Sequence, residues 1–261
     1  QRDAWDDECP LWHADVPRQP GAWLQAARLP VTCAEWRWFV DAGGYNADAA
    51  HWQAGKTGAG AAARAWLTDN PRTEPPALAD TDWGNGLNPV TTITVFEAMA
   101  YAAWAAPMYA DDNPDPARWQ LPQLRPPTEV EWEAAQRAGA DGLPPGTHQF
   151  WPGNGRPPQP LDFNHAKTGW RQPSPVGAFA LAYSPAGLAD GAGNAWEWCV
   201  NSLPSGARPY DQADSQDEAQ AAWSPDDGVS PRALRGGAYG SSANSCRPAS
   251  RYHRLSPDDL D

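Results

Sequence analysis

Lysine is nearly absent from this chain. Lys56 and Lys167 are the two lysines among 19 basic residues, set against 32 acidic ones, for a formal charge of −13 over 261 residues. A protein that tracks a phosphate backbone neutralises it with basic side chains, so nucleic acid is excluded as the expected partner. No stretch approaches the roughly 20 apolar residues needed to cross a bilayer, and no membrane span is expected. The opening QRDAWDDECPLW has neither the basic start nor the apolar core of an export signal. The chain therefore reads as a soluble one, either cytoplasmic or displayed at a surface.

Other chemistries are missing as well. Cys9, Cys33, Cys199 and Cys246 lie far apart, with no C-x-x-C pair and no histidine at zinc-finger spacing. Buried free thiols are the main expectation, with a Cys199 to Cys246 bridge as the alternative. There is no G-x-S-x-G, no H-E-x-x-H and no glycine-rich phosphate loop, and the five histidines (His13, His51, His148, His165, His253) do not cluster.

What is abundant is tryptophan and proline, 16 and 29 residues. Each indole carries a large apolar area and an N–H that needs a partner, so this composition predicts a loop-rich fold pinned by aromatic anchors. Proline in loops is also one feature of proteins from thermophiles. Three segments predict helices, each opening on Thr with Glu three residues later. They are 32–44 (TCAEWRWFVDAGG), stopped by Gly43-Gly44; 94–106 (TVFEAMAYAAWAA), with Pro107 as terminator; and 128–139 (TEVEWEAAQRAG). Short strands are predicted at 88–93, 174–180 and 233–239. The stretches 53–88, 107–127, 140–175 and 202–231 read as loop. With no internal repeat, the expectation is a single α+β domain over 1–261, its two main helices packed on short antiparallel sheets.

Five blocks carry a family likeness: LPVTCAEWRWFVDAGGY (29–45), NPVTTITVFEAMAYAAW (88–104), RPPTEVEWEAAQRAG (125–139), SPVGAFALAYSPAGLADGAGNAWEWC (174–199) and RALRGGAYGSSANSCRPASR (232–251). In this order, with GNAWEW and LRGG, the chain resembles the formylglycine-generating-enzyme (sulfatase-modifying factor) domain, a variant of the C-type lectin fold. The resemblance also implies an N-terminal strand ahead of DDECPLWHADVP and a last strand ending in Gly-Phe-Arg, both expected to be missing here.

Catalytic relatives bind copper through two cysteines after LRGG, which map to Ser241 and Cys246. A hydroxyl cannot replace a thiolate toward Cu(I), so no copper is expected and catalysis is not expected. Ergothioneine-type relatives use this fold with a separate iron-binding helical domain. The resemblance further implies structural calcium on the side chains of Asp190 and Glu197 and the carbonyls of Gly193 and Ala195; the alternative is Glu197 capping backbone amides beside core Trp196 and Trp198. A second calcium site would map to Asn164, the His165 carbonyl, Thr168 and the Trp170 carbonyl, with Thr168 lacking the charge.

Within the family, the segment after LRGG is most similar to the noncatalytic variable proteins of diversity-generating retroelements. On that likeness about 238–256 is a display segment binding an unknown protein or glycan through Tyr239, Ser241, Ser242, Asn244, Ser245, Ser250, Tyr252, His253 and Arg254. Framework positions are Arg235, Gly236, Gly237, Cys246, Arg247, Ala249 and Arg251. The alternative reading is a copper oxidase or other oxidoreductase of the same fold.

Overall fold

The computed structural model describes residues 13–19, 22–53, 60–111, 124–137, 158–202 and 232–255. Among them an antiparallel hairpin, β1 (His13–Gln19) and β2 (Ala22–Ala27), precedes helices α1 (Cys33–Asp41), α2 (Ala61–Asp69), α3 (Val95–Asp111) and α4 (Glu129–Arg137). A three-stranded antiparallel sheet follows, β3 (Glu197–Ser202), β4 (Arg232–Arg235) and β5 (Tyr252–Leu255), with β4 in the centre.

The repeated Thr-x-x-Glu is a capping box three times over. The Thr32, Thr94 and Thr128 N–H groups donate to Glu35, Glu97 and Glu131 at 2.7, 2.8 and 2.8 Å, and each glutamate N–H returns a 3.2 Å bond to the threonine hydroxyl. Each box satisfies donors that a helix start leaves orphaned, at about 1 kcal/mol per cap. The latter two glutamates are buried and so also need charge partners. Glu97 accepts from the Tyr45 hydroxyl at 2.5 Å and pairs with Arg72, while Arg125 holds both oxygens of Glu131 at 2.7 and 2.8 Å.

Between α1 and α3 lies the main aromatic core. Trp36 and Tyr101 stack at 4.8 Å, Phe39 meets both, and Trp52 closes the cluster with its indole N–H on the Gly44 carbonyl at 2.6 Å. The second anchor is ionic. Arg235, fully buried at the end of β4, pairs through Nε with Glu129 at 3.0 Å and through Nη2 with Glu133 at 2.8 Å, both on α4. Its Nη1 donates to the Pro248 and Ser250 carbonyls at 2.7 and 3.0 Å. One side chain thus ties the sheet, α4 and the segment leading into β5.

Several expectations from the sequence are corrected. Pro107 does not end α3, which continues to Asp111. The proline faces outward, so the carbonyl that loses its N–H partner can turn to solvent. The 53–88 loop contains α2, which starts at Gly60 (φ 98) without any side-chain cap and so gives no sequence signal. Of the predicted strand 88–93 a single bridge remains, Thr32 with Pro89, because Thr92 at φ 56 breaks the extension. Residues 174–180 form turns, since Gly177 sits at φ 70 and its N–H goes to the Asp190 carboxylate. The strand expected over 233–239 stops at Arg235, where Gly236 (φ 92) and Gly237 (φ 79) turn the chain. Helix α4 ends at Arg137, and positions 138–139 lie outside the described residues, as do 140–157, 203–231 and Cys9. The hairpin and β5 were not anticipated.

Removing Arg235 leaves Glu129 and Glu133 buried without their main counterion, a loss of about 3–5 kcal/mol. Arg235→Met is therefore expected to lower Tm by roughly 10 °C or more, and Arg235→Lys to recover less than half, since an ammonium cannot reach two carboxylates and two carbonyls together. Thermal melts followed by circular dichroism measure both.

Candidate functional site

The loop carrying GNAWEW is wound around Asn194. Asp190 (φ 59) and Asn194 (φ 67) both take left-handed backbone, which short polar side chains tolerate. Asn194 Oδ1 accepts from the Ser174 N–H at 2.8 Å and from Asn164 Nδ2 at 3.2 Å, its own N–H donates to the Asn164 carbonyl at 2.8 Å, and its carbonyl receives the Tyr239 N–H at 2.9 Å. Gly193 is required on space alone: a Cβ there would stand 2.1 Å from the Asn164 carbonyl oxygen.

Beyond Gly237 the chain packs down on Cys246, whose Sγ would lie 2.5 Å from a Cβ at 237. Ser242 caps the short 3-10 turn Ala243–Cys246. The Asn244 carbonyl then gathers Arg247 Nε at 2.9 Å and the Ser250 hydroxyl at 2.8 Å. Arg251 Nε reaches Glu129 at 2.6 Å. Tyr252, at the start of β5, brings its ring to 5.5 Å from Trp196, tilted by 39°.

These contacts leave a shallow cleft of about 450 Å³. Trp196 and Tyr252 form its aromatic wall, Arg247 and Arg251 its basic side, and Asn244, Ser245, Ala249 and Ser250 its floor and rim. Of the nine residues proposed for binding from the sequence, Asn244, Ser245, Ser250 and Tyr252 therefore meet at one cleft. Ser241 and Ser242 are turned to backbone instead: the Ser241 hydroxyl accepts from the Ala238 N–H at 3.0 Å, and that of Ser242 from the Ser245 N–H at 3.3 Å. Tyr239 lies edge-on to Trp83 at 5.5 Å, away from the cleft lining. His253 and Arg254 belong to β5, with side chains outside the described residues. Trp196, Arg247 and Arg251 had been assigned to core or framework. Two arginines four residues apart, in a chain so short of basic charge, were the available signal for them.

The description "Sulfatase-modifying factor enzyme 1-like domain" matches residues 22–258. The chain belongs to the sulfatase-modifying-factor family. Hercynine oxygenase of Mycolicibacterium thermoresistibile is 33% identical over 259 residues, which cover 95% of this chain and 50% of that protein. The chain thus spans about half the length of this curated relative. Among solved structures, PvdO from Pseudomonas aeruginosa superposes with a TM-score of 0.53 at 19% identity, covering 95% of this chain and 86% of the other. Treponema denticola variable protein 1 gives a TM-score of 0.45 at 21% identity over 72% of each chain. The loop-rich mixture of helices and small antiparallel sheets is the C-type-lectin-like fold of this family. One expectation is overturned: catalysis had been set aside on the missing cysteine pair, yet the curated relative matched over nearly the whole chain is an enzyme. The missing copper pair therefore does not decide against catalysis.

The copper pair itself does not fit. Cys246 is buried among Phe163, Phe179 and Ala192, and burial pushes its thiol up to about 12, while position 241 offers a hydroxyl already bonded to backbone. Cys199 lies in another cluster with Trp132 and Ala233, so it does not pair with Cys246; Cys33, Cys199 and Cys246 are all free and buried. The two carboxylates of the GNAWEW loop are held otherwise. Glu197 Oε2 accepts the Trp132 indole N–H at 2.8 Å and is raised to about 7, first by burial and then by the nearby Asp190 charge. Asp190 is raised to about 6, again by burial. No three His, Cys, Asp or Glu side chains among the described residues are grouped to hold an ion.

The thiols set a pH dependence. Cys33 is raised by burial from 9.0 to about 11 and Cys246 from 9.0 to about 12. Each thiol stays neutral in the folded chain where it would ionise in the unfolded one. Their contribution to stability is therefore whole below pH 9 and lost as pH rises toward 11 and 12. Urea melts are expected to show a steady fall in stability from pH 9 to 11, with a shallower slope in Cys246→Ala.

Proposed function

We propose that this chain is the substrate-holding part of an oxygenase of the hercynine-oxygenase kind, and that the substrate lies in the cleft between Trp196, Tyr252 and the Arg247/Arg251 side. The observation that carries this reading is the 33% identity to hercynine oxygenase across 95% of the chain. Supporting it, four of the residues singled out from the sequence meet at that one cleft. The part assigned to the described residues is binding and orientation of the substrate. An oxidising metal, as in iron-dependent relatives, would supply the activation of dioxygen.

The cleft suits a small zwitterionic molecule with a planar group. The tilted rings of Trp196 and Tyr252 make a notch for a flat or cationic moiety, and the guanidinium groups of Arg247 and Arg251 favour a carboxylate. The hydrogen bonds on the Asn244 carbonyl hold the floor so that these groups keep their spacing. Tyr252→Ala, which removes a half-exposed ring, is expected to lower kcat/KM for hercynine in the holoenzyme by about tenfold, equal to about 1.4 kcal/mol, with Tm changed by no more than a few degrees. Ser245→Trp, which fills the cleft, is expected to abolish hercynine binding in calorimetry. Full binding and turnover in both variants would reject the assignment.

We also infer that Asp190 and Glu197 hold a calcium ion together with the carbonyls of Gly193 and Ala195. Two buried carboxylates with raised pKa values, and no Arg or Lys partner for either among the described residues, are what supports it. Calcium chloride is expected to raise Tm relative to EDTA in the unaltered protein, and Glu197→Gln to remove most of that gain.

A further inference from the structure

Residues 164–172 loop against the Asn194 turn, and the contact that closes the loop is a hydroxyl. A short 3-10 turn, Ala166–Thr168, begins after His165 and ends at Gly169 in the left-handed region (φ 78). Thr168 Oγ1 donates to the His165 carbonyl at 2.6 Å and approaches Asn164 Oδ1 at 3.1 Å, while the Thr168 N–H donates to the same His165 carbonyl at 2.9 Å. A carbonyl oxygen has two lone pairs, and both are spent here on Thr168. The orientation of the Asn164 amide is fixed independently. Its Nδ2 donates to the Gln172 carbonyl at 2.9 Å and to Asn194 Oδ1 at 3.2 Å, both acceptors, so its Oδ1 has to face the threonine.

These are two of the oxygens that the family likeness assigns to a second calcium ion. A hard divalent cation needs six to eight oxygens, some of them charged. Here the donors are already bonded and the residue between them is neutral, so the residues present do not fit the ion. We propose that Thr168 closes this loop in place of a cation, its hydroxyl hydrogen drawing together the His165 and Asn164 oxygens that a calcium ion would otherwise bridge. The shape of 164–172 is then independent of calcium, and position 168 alone decides whether the loop is closed by a hydroxyl or by an ion. The consequence reaches the segment ahead of the cleft, because the Ala166 N–H donates to the Ser241 carbonyl at 3.0 Å and Asn164 is bonded on both sides to Asn194.

The test is calcium titration of the full chain by calorimetry, with thermal melts in calcium chloride and in EDTA, for the unaltered protein, Thr168→Asp and Thr168→Val. Thr168→Asp is expected to bind one calcium equivalent more than the unaltered protein and to gain more Tm from calcium. Thr168→Val is expected to bind the same number as the unaltered protein, with Tm lower by a few degrees to the same extent in both media. Should Thr168→Asp fail to fold in either medium, the valine variant decides: an unchanged Tm overturns the proposal, and an equal loss in both media supports it. A folded Thr168→Asp with no added calcium equivalent overturns it, as does a valine variant that binds one equivalent fewer than the unaltered protein, since that would mean the loop already holds an ion.

Discussion

A single buried guanidinium ties together the sheet, α4 and the segment that leads into the cleft. Taking a charge out of water costs several kcal/mol, and Arg235 is tolerated because Glu129, Glu133 and two backbone carbonyls converge on it. The carbonyls belong to Pro248 and Ser250, so the same guanidinium that joins the central strand to α4 also fixes the path of the chain just before Tyr252. Trp196 of the cleft packs against the main aromatic core. The segment that forms the rest of the cleft is held by this ion cluster, by the Asn194 hydrogen bonds and by Cys246 packed among Phe163, Phe179 and Ala192.

The chain's acidity is handled by the same device at three depths. Glu35 serves only its helix start, at a partly exposed site. Glu97 and Glu131 serve helix starts too, but they are buried and recruit Arg72 with Tyr45, and Arg125. A local sequence signal, Thr-x-x-Glu, thereby becomes a long-range constraint wherever the glutamate is pulled inside. This is why a protein with few basic residues can afford so few: most of the described arginines are spent on particular buried carboxylates or carbonyls.

What could be read from the sequence follows the range of the interactions. Although the strand was expected to run on through Gly236 and Gly237, the starts of α1, α3 and α4 were legible because a capping box lies within four residues. Helix α2 was not, since Gly60 offers no side-chain cap and little of the helix is buried. Segments 88–93 and 174–180 have the composition of strands, yet their backbone groups bond to side chains and loops distant in sequence, such as Asp190 with Gly177. At the cleft, Asn244, Ser245, Ser250 and Tyr252 come from the polar residues of the post-LRGG segment. Trp196, Arg247 and Arg251 line it as well, although they were read as core or framework because a fixed motif residue was equated with a buried one. The expectation of no catalysis failed for a related reason: the absence of one metal-binding pair was taken as the absence of chemistry.

Glu129 Oε1 is shared between Arg235 in the interior and Arg251 beside the cleft, at 3.0 and 2.6 Å. The two cations compete for one oxygen, so whatever draws Arg251 toward a bound anion loosens its hold on Glu129 and leaves more of that carboxylate to Arg235. The interior cluster and the basic side of the cleft are in this way joined through one shared oxygen.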